Sequence, residues 1–130
     1  MKICFFGTPL FSAKILETLL STKHEVLSIF SGPDQRQGRG KTLLPSPVKV
    51  LGQNKNIPVI TDNPLQRQTL KYLKENPPDL FLIVAFGYII GKELLDIPKY
   101  GCINIHASLL PAWRGAAPIE RSILNGDLET

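Results

Sequence analysis

Apolar and polar positions change period several times along the chain, and each change marks an element. Residues 2–6, KICFF, are nearly all apolar and stop at Gly7, which predicts a short buried strand. In SAKILETLLST, Ile15, Leu19 and Leu20 recur at helical spacing. HEVLSIF predicts a second strand. Residues 31–45, SGPDQRQGRGKTLLP, are broken up by glycine and proline and predict a long loop. SPVKVLGQNKN follows, with Ser46 placed to cap a helix and Pro47 at its first position, where a missing N–H leaves no bond unmade. IPVI predicts a third strand, and PLQRQTLKYLKEN a helix stopped by Pro77 and Pro78. DLFLIVAFG is apolar at almost every position, as expected of a central parallel strand covered on both faces. GKELLDI predicts a short helix or turn, GCINIHA a fifth strand, and APIERSILNG a helix ending near Gly126.

Strands that alternate with helices predict an α/β fold: one domain with a Rossmann-like, mostly parallel sheet, right-handed crossovers and helices on both faces. Ligands of such sheets sit outside the carboxyl ends of the strands. After the last helix the alternation asks for another strand, so the domain is expected to be cut short before its last strands.

Composition narrows the class. The chain is 43% apolar and 20% charged, ordinary for a soluble domain. Its longest apolar run, residues 80–90, is well short of the ~20 residues a membrane helix needs. The amino terminus lacks a secretory pattern, so a cytoplasmic protein with no membrane partner is expected. Cys4 and Cys102 lie in strand-like runs without CxxC spacing, which predicts buried free thiols. His24 and His106 are the only histidines, and no metal is expected. The net charge of +4 is unevenly spread. Residues 35–61 hold Arg36, Arg39, Lys41, Lys49 and Lys55 without one acid, whereas the rest carries ten basic and eleven acidic residues. Local basicity of this kind points to an anionic partner.

Two phosphate motifs fail. GRGKT has Gln35 where a P-loop needs its first glycine, and the prolines of LLPSP oppose an immediate helix. Gly7-Thr8-Pro9 does not continue into the dinucleotide fingerprint, and Leu43 stands where the third glycine after Gly38 and Gly40 belongs.

The fifth strand offers chemistry. Residues two apart on a strand share a face, ~6.5 Å apart. Asn104 and His106 therefore point one way, at the carboxyl end, and Ile103 and Ile105 the other. An amide can donate to a developing oxyanion, and an imidazole can take or give a proton near neutral pH. On the residues alone the pair suits attack on a carbonyl carbon and suits the hydrogen bonding of the next loop equally well.

GCINIHASLLPAWRGAAPI resembles the signature of folate-dependent formyltransferases. GTPLFSAKILETLL, GPDQRQGRGKTLLPSPVKVL and NIPVI are similar to the branch of that family that formylates methionyl-tRNA, and the likeness runs from Ile3 to Thr130. The resemblance implies transfer of a formyl group from 10-formyltetrahydrofolate to the α-amino group of methionine on initiator tRNA, in translation initiation. It implies that Asn104 stabilises the oxyanion and that His106 assists proton transfer. By the same likeness Ser108, Leu109, Leu110 and Pro111 line the folate site, and Phe86, Gly87 and Tyr88 form a wall of the pterin pocket. The loop carrying Arg36, Arg39 and Lys41 meets the tRNA acceptor end. Folate and methionyl-tRNA are the implied partners, with neither DNA nor membrane among them. Trp113 and Arg114 receive no catalytic role.

The family's third catalytic residue is an aspartate tens of residues beyond the histidine, and no residue here matches it. Asp127 follows the helix behind the signature and is no substitute by motif. Residues 1–130 are therefore expected to be the N-terminal portion of a catalytic domain, without the family's C-terminal barrel and inactive alone. Two alternatives remain: a same-fold formyltransferase or formyl-folate hydrolase with a small-molecule acceptor, and a non-catalytic truncated folate- or RNA-binding module.

Overall fold

β1 (Lys2–Gly7) is the middle strand of a five-stranded parallel sheet, and the order of its neighbours decides where a ligand can sit. The computed structural model describes residues 1–37, 42–61, 63–64 and 66–130. After β1 come α1 (Leu10–Leu20), β2 (Glu25–Phe30), the short strands β3 (Gln35–Gln37) and β4 (Thr42–Leu44), and α2 (Pro47–Asn54). Then follow β5 (Val59–Ile60), α3 (Arg67–Glu75), β6 (Leu80–Val84), α4 (Lys92–Leu95), β7 (Cys102–Ile105) and α5 (Pro118–Asn125). The sheet order is β5-β2-β1-β6-β7. The chain winds outward from β1 through β2 to β5, then crosses back to β6 on the other side of β1. The carboxyl ends of β1 and β6 thus flank the switch point at which open α/β sheets bind ligands.

Alternation along the strands splits the core into two layers. Cys4 and Phe6 of β1 and Phe81 of β6 pack with Leu70 and Leu73 of α3 and Leu94 of α4. Phe5 and Val84 pack with Ala13 and Leu16 of α1 and Val48 of α2 on the opposite face. Phe6 stacks on Phe30 with centroids 4.5 Å apart, and Phe81 leans on it at 4.8 Å. Each such ring is worth about 1.5–3 kcal/mol when fully buried. Gly7 lets α1 come this close, because a Cβ there would lie 2.7 Å from Ser12 Cβ and 2.9 Å from the Val84 carbonyl. Ser12 uses the approach to donate to that carbonyl at 2.5 Å.

The predicted cap of α2 is present: Ser46 Oγ accepts from the Lys49 N–H at 3.0 Å, with Pro47 next. Two expectations need correction. The segment read as one long loop contains an antiparallel hairpin, β3 against β4, with Arg36 opposite Leu43. Cross-strand pairing made this structure, and neither three-residue strand shows an apolar alternation of its own. Cys102 is only half-buried, because among the described residues β7 is an edge strand with β6 as its one neighbour, whereas Cys4 is buried. Burial pushes the Cys4 thiol up to about 11, against a smaller opposing effect of its hydrogen bond with Ser28.

Candidate active site

β7 pairs with β6 so that Ile83 faces Asn104 and Val84 faces Ile105. Ile83 packs on the α3/α4 layer and Ile105 on the α1/α2 layer, which puts Asn104 on the α3/α4 face. Asn104 is exposed, and its amide has no hydrogen-bond partner among the described residues. An amide held by a strand backbone and left free at its tip is ready to donate to a ligand.

His106 stands just past the strand, and both its ring nitrogens are engaged. Nδ1 lies 2.8 Å from Ser108 Oγ, and Nε2 lies 3.2 Å from the Gly115 carbonyl. Ser108 Oγ in turn donates to the Ala112 carbonyl at 2.8 Å. The signature loop is folded back on its own histidine. Trp113 and Ala117 take left-handed backbone conformations, as does Gly115 at φ 104°, and these turns bring residues 112–115 back to the ring. Leu109 and Leu110, in the same loop, are 60% and 57% exposed. The Ser108 hydroxyl hydrogen is already used on Ala112.

The wall predicted from Phe86, Gly87 and Tyr88 has a different inner and outer side than alternation suggests. Phe86 should share the face of Val84, yet it is buried with Phe6 on the other layer. Ala85 adopts a left-handed φ of 47°, which turns the chain over by one face. What reaches the surface is the backbone, Gly87 and the partly exposed ring of Tyr88, which touches Phe86 at 5.2 Å between centroids.

Thr8 joins the strand ends, a role that sequence reading did not single out. Its hydroxyl donates to the Phe86 carbonyl at 3.3 Å and accepts from the Gly32 N–H at 3.0 Å, tying the ends of β1, β2 and β6 together. The Gly-Thr-Pro step directly after a strand was the available signal. Beside Thr8 opens a cavity of about 250 Å³ lined by Pro9, Pro33, Gln35, Leu44 and Ser46, among others. Gln35 and Leu44 belong to the hairpin, so its exposed Arg36 stands at the rim of the carboxyl end of the sheet. Lys49, counted in the basic stretch, is neutralised by Asp34 at 2.7 Å. Arg39 and Lys41 lie outside the described residues. A larger hollow of about 380 Å³, lined by Lys74, Pro77, Glu93, Asp96 and Ile97, lies at the opposite end, before β6 begins. Its Lys74–Glu93 ion pair closes on itself at 2.8 Å, and it lies away from the strand-end chemistry.

Among the described residues no cluster of three or more His, Cys, Asp or Glu side chains is placed to hold a metal ion. None of the described helices is long and apolar enough to cross a membrane.

A family model described as formyl transferase matches residues 1–130. The chain is 50% identical over its whole length to a methionyl-tRNA formyltransferase of Prochlorococcus marinus, of which it covers 39%. It is 49% identical, again over its whole length, to one of Geotalea daltonii, of which it covers 42%. The chain therefore spans about two fifths of the length of these curated relatives. Among solved structures, glycinamide ribonucleotide transformylase 1 from Geobacillus kaustophilus superposes with a TM-score of 0.70 at 21% identity, over 96% of this chain and 68% of that one. At that identity the likeness speaks for the fold.

Proposed function

This chain belongs to the formyl transferase family, and from that premise we propose that it supplies the formyl-transfer site of an enzyme that moves a formyl group from 10-formyltetrahydrofolate to the α-amino group of methionyl-tRNA. Residues 1–130 would then be the N-terminal portion of the catalytic domain, acting in translation initiation in the cytoplasm. The observation that carries this is the free Asn104 amide one step from His106 at the carboxyl end of β7, with exposed Leu109 and Leu110 in the loop that follows. The relatives' names support the tRNA acceptor, and the exposed Arg36 of the hairpin, within a sequence stretch rich in basic residues, supports an acceptor that is anionic.

When bound, the folate supplies a formyl carbon held on nitrogen and open to attack by an amine. The residues present fit such a group, with apolar leucines for a flat ring and an unpaired amide for the formyl oxygen. Asn104 donates to that oxygen as negative charge develops on it, an interaction worth ~10²–10³ in rate. His106 takes the proton that the attacking nitrogen must lose, and a positioned group of this kind contributes ~10²–10⁴. Nδ1 is engaged with Ser108 at 2.8 Å, which leaves Nε2, in its longer and exposed contact with the Gly115 carbonyl at 3.2 Å, as the nitrogen to receive it. The same proton can then pass to the departing nitrogen. Arg36 holds acceptor phosphates by charge at the rim, and Thr8 keeps the rim and the Phe86–Tyr88 wall at a fixed spacing.

The test is an acceptor comparison with a polypeptide of the relatives' full length that carries these residues. Methionyl-tRNA should be formylated and small amines, including glycinamide ribonucleotide, should not. Preference for a small amine would overturn the tRNA assignment.

A further inference from the structure

We propose that Ser108 is a positioning residue that sets the tautomer of His106, keeping the ring proton on Nδ1 and leaving Nε2 as the basic nitrogen. The geometry rests on this chain alone; its catalytic consequence rests on the formyl-transfer function proposed above.

A serine hydroxyl has one hydrogen and two acceptor sites. Ser108 Oγ lies 2.8 Å from the Ala112 carbonyl, which can only accept, so the single hydrogen points there. The other short approach of Oγ, to His106 Nδ1 at 2.8 Å, must then be donated by the ring. The Ala112 carbonyl is held in place by the turn in which Ala112 N–H donates to the Leu109 carbonyl at 3.1 Å. A chain of direction therefore runs from His106 Nδ1–H to Ser108 and on to Ala112.

The other ring nitrogen competes for the same proton. Nε2 faces the Gly115 carbonyl at 3.2 Å, and this bond also requires a hydrogen on the ring. A neutral imidazole has only one. The bond to Ser108 is shorter and part-buried, whereas the one to Gly115 is longer and exposed, so the neutral ring keeps the first and gives up the second. The imidazolium makes both. His106 thus has a resting form with a bare Nε2 and a charged form whose new proton already has an acceptor. Without Ser108, the Gly115 carbonyl would be the stronger partner and would pull the neutral ring into the Nε2–H tautomer, which cannot accept a proton at that atom.

The experiment reads the tautomer directly, by long-range proton–nitrogen NMR of the ring nitrogens in the ¹⁵N-labelled chain, in buffer alkaline enough for a neutral ring. His24 is the only other histidine and lies beside the amino terminus, so His24→Gln assigns the signals. The proposal requires Nδ1–H in the unaltered chain and in Ser108→Thr, and a change to mainly Nε2–H in Ser108→Ala. Nε2–H in the unaltered chain overturns it, even should Ser108→Ala fail to fold. Nδ1–H persisting in a folded Ser108→Ala overturns it as well. In the full-length polypeptide, Ser108→Ala should lower kcat by ~10-fold or more, part of what a positioned acid–base group contributes, with the KM for methionyl-tRNA nearly unchanged. A tautomer change without loss of kcat would overturn the catalytic part alone. Absence of formyl transfer by the unaltered polypeptide would refute the proposed function, while the NMR result would still decide the role of Ser108.

Discussion

The Asp127 carboxylate accepts a hydrogen bond from the indole N–H of Trp113 at 2.5 Å, linking the segment after α5 to the loop that carries the site. The other carboxylate oxygen accepts from Asn125 Nδ2 at 2.6 Å. Donation by Asn125 first and Trp113 second holds the Asp127 carboxyl below its ordinary value of 3.8. A depressed folded-state pKa means that the bond is fully present above the unfolded value and disappears as pH falls through the folded one. Trp113 is the only tryptophan and reports on the bond without labels. Its emission should be flat from neutral pH down to about the ordinary carboxylate range and change only below it. Asp127→Ala should show the acid-state emission already at neutral pH. An unchanged spectrum in that variant would show that the bond does not hold the loop.

Asn104→Ala should remove turnover and leave the fold intact. The side chain is exposed and makes no bond within the described residues, so its loss leaves no cavity and strands no buried partner. In the full-length polypeptide kcat should fall ~10²–10³ with little change in KM, as expected for a donor that meets charge only in the transition state. His106→Ala should lose ~10²–10⁴. A higher KM with kcat within a few-fold would make Asn104 a binding residue.

Arg36→Ala should weaken tRNA binding without affecting the folate. Removing one cation from a phosphate should make the log–log salt slope shallower by about 0.7–0.9. Arg39→Ala and Lys41→Ala are expected to act alike. Titrations at several salt concentrations check this, and an unchanged slope in all three variants would remove these three residues from the acceptor interface.

Gly7→Ala should destabilise the protein by ~1–3 kcal/mol, the usual cost of overpacking. The added Cβ meets backbone at Val84 and the Cβ of Ser12, neither of which is a flexible side-chain end. The Tm from thermal unfolding reads the effect. A neutral outcome would mean that α1 can move off the sheet, loosening Thr8 as well.

The five sheet strands were legible because each is a short, mostly apolar run set off from its neighbours, the stop of β1 at Gly7 being the plainest. Asn104 and His106 could be singled out as candidates for a related reason, since period-two spacing at a strand end needs no tertiary information; the structure places Asn104 in β7 and His106 just past it. The hairpin was hidden because Gln35, Arg36 and Thr42 declare no face, and pairing between β3 and β4 alone defines them. The inward turn of Phe86 was hidden because it depends on one left-handed residue, Ala85, which composition does not announce. The sequence offered Ser108 only as part of the segment that the resemblance puts at the folate site; its contact with His106 depends on the return of the Ala112–Gly115 loop.

Whether this site carries out formyl transfer is decided by a single-turnover measurement of labelled formyl transfer from 10-formyltetrahydrofolate to methionyl-tRNA, with the full-length polypeptide and its Asn104→Ala variant at saturating substrates. Transfer by the unaltered protein and a ~10²–10³ slower chemical step in the variant are the predicted result. Equal rates in the two proteins would rule out the proposed role of Asn104, because the free amide at the end of β7 would then have no part in the chemistry.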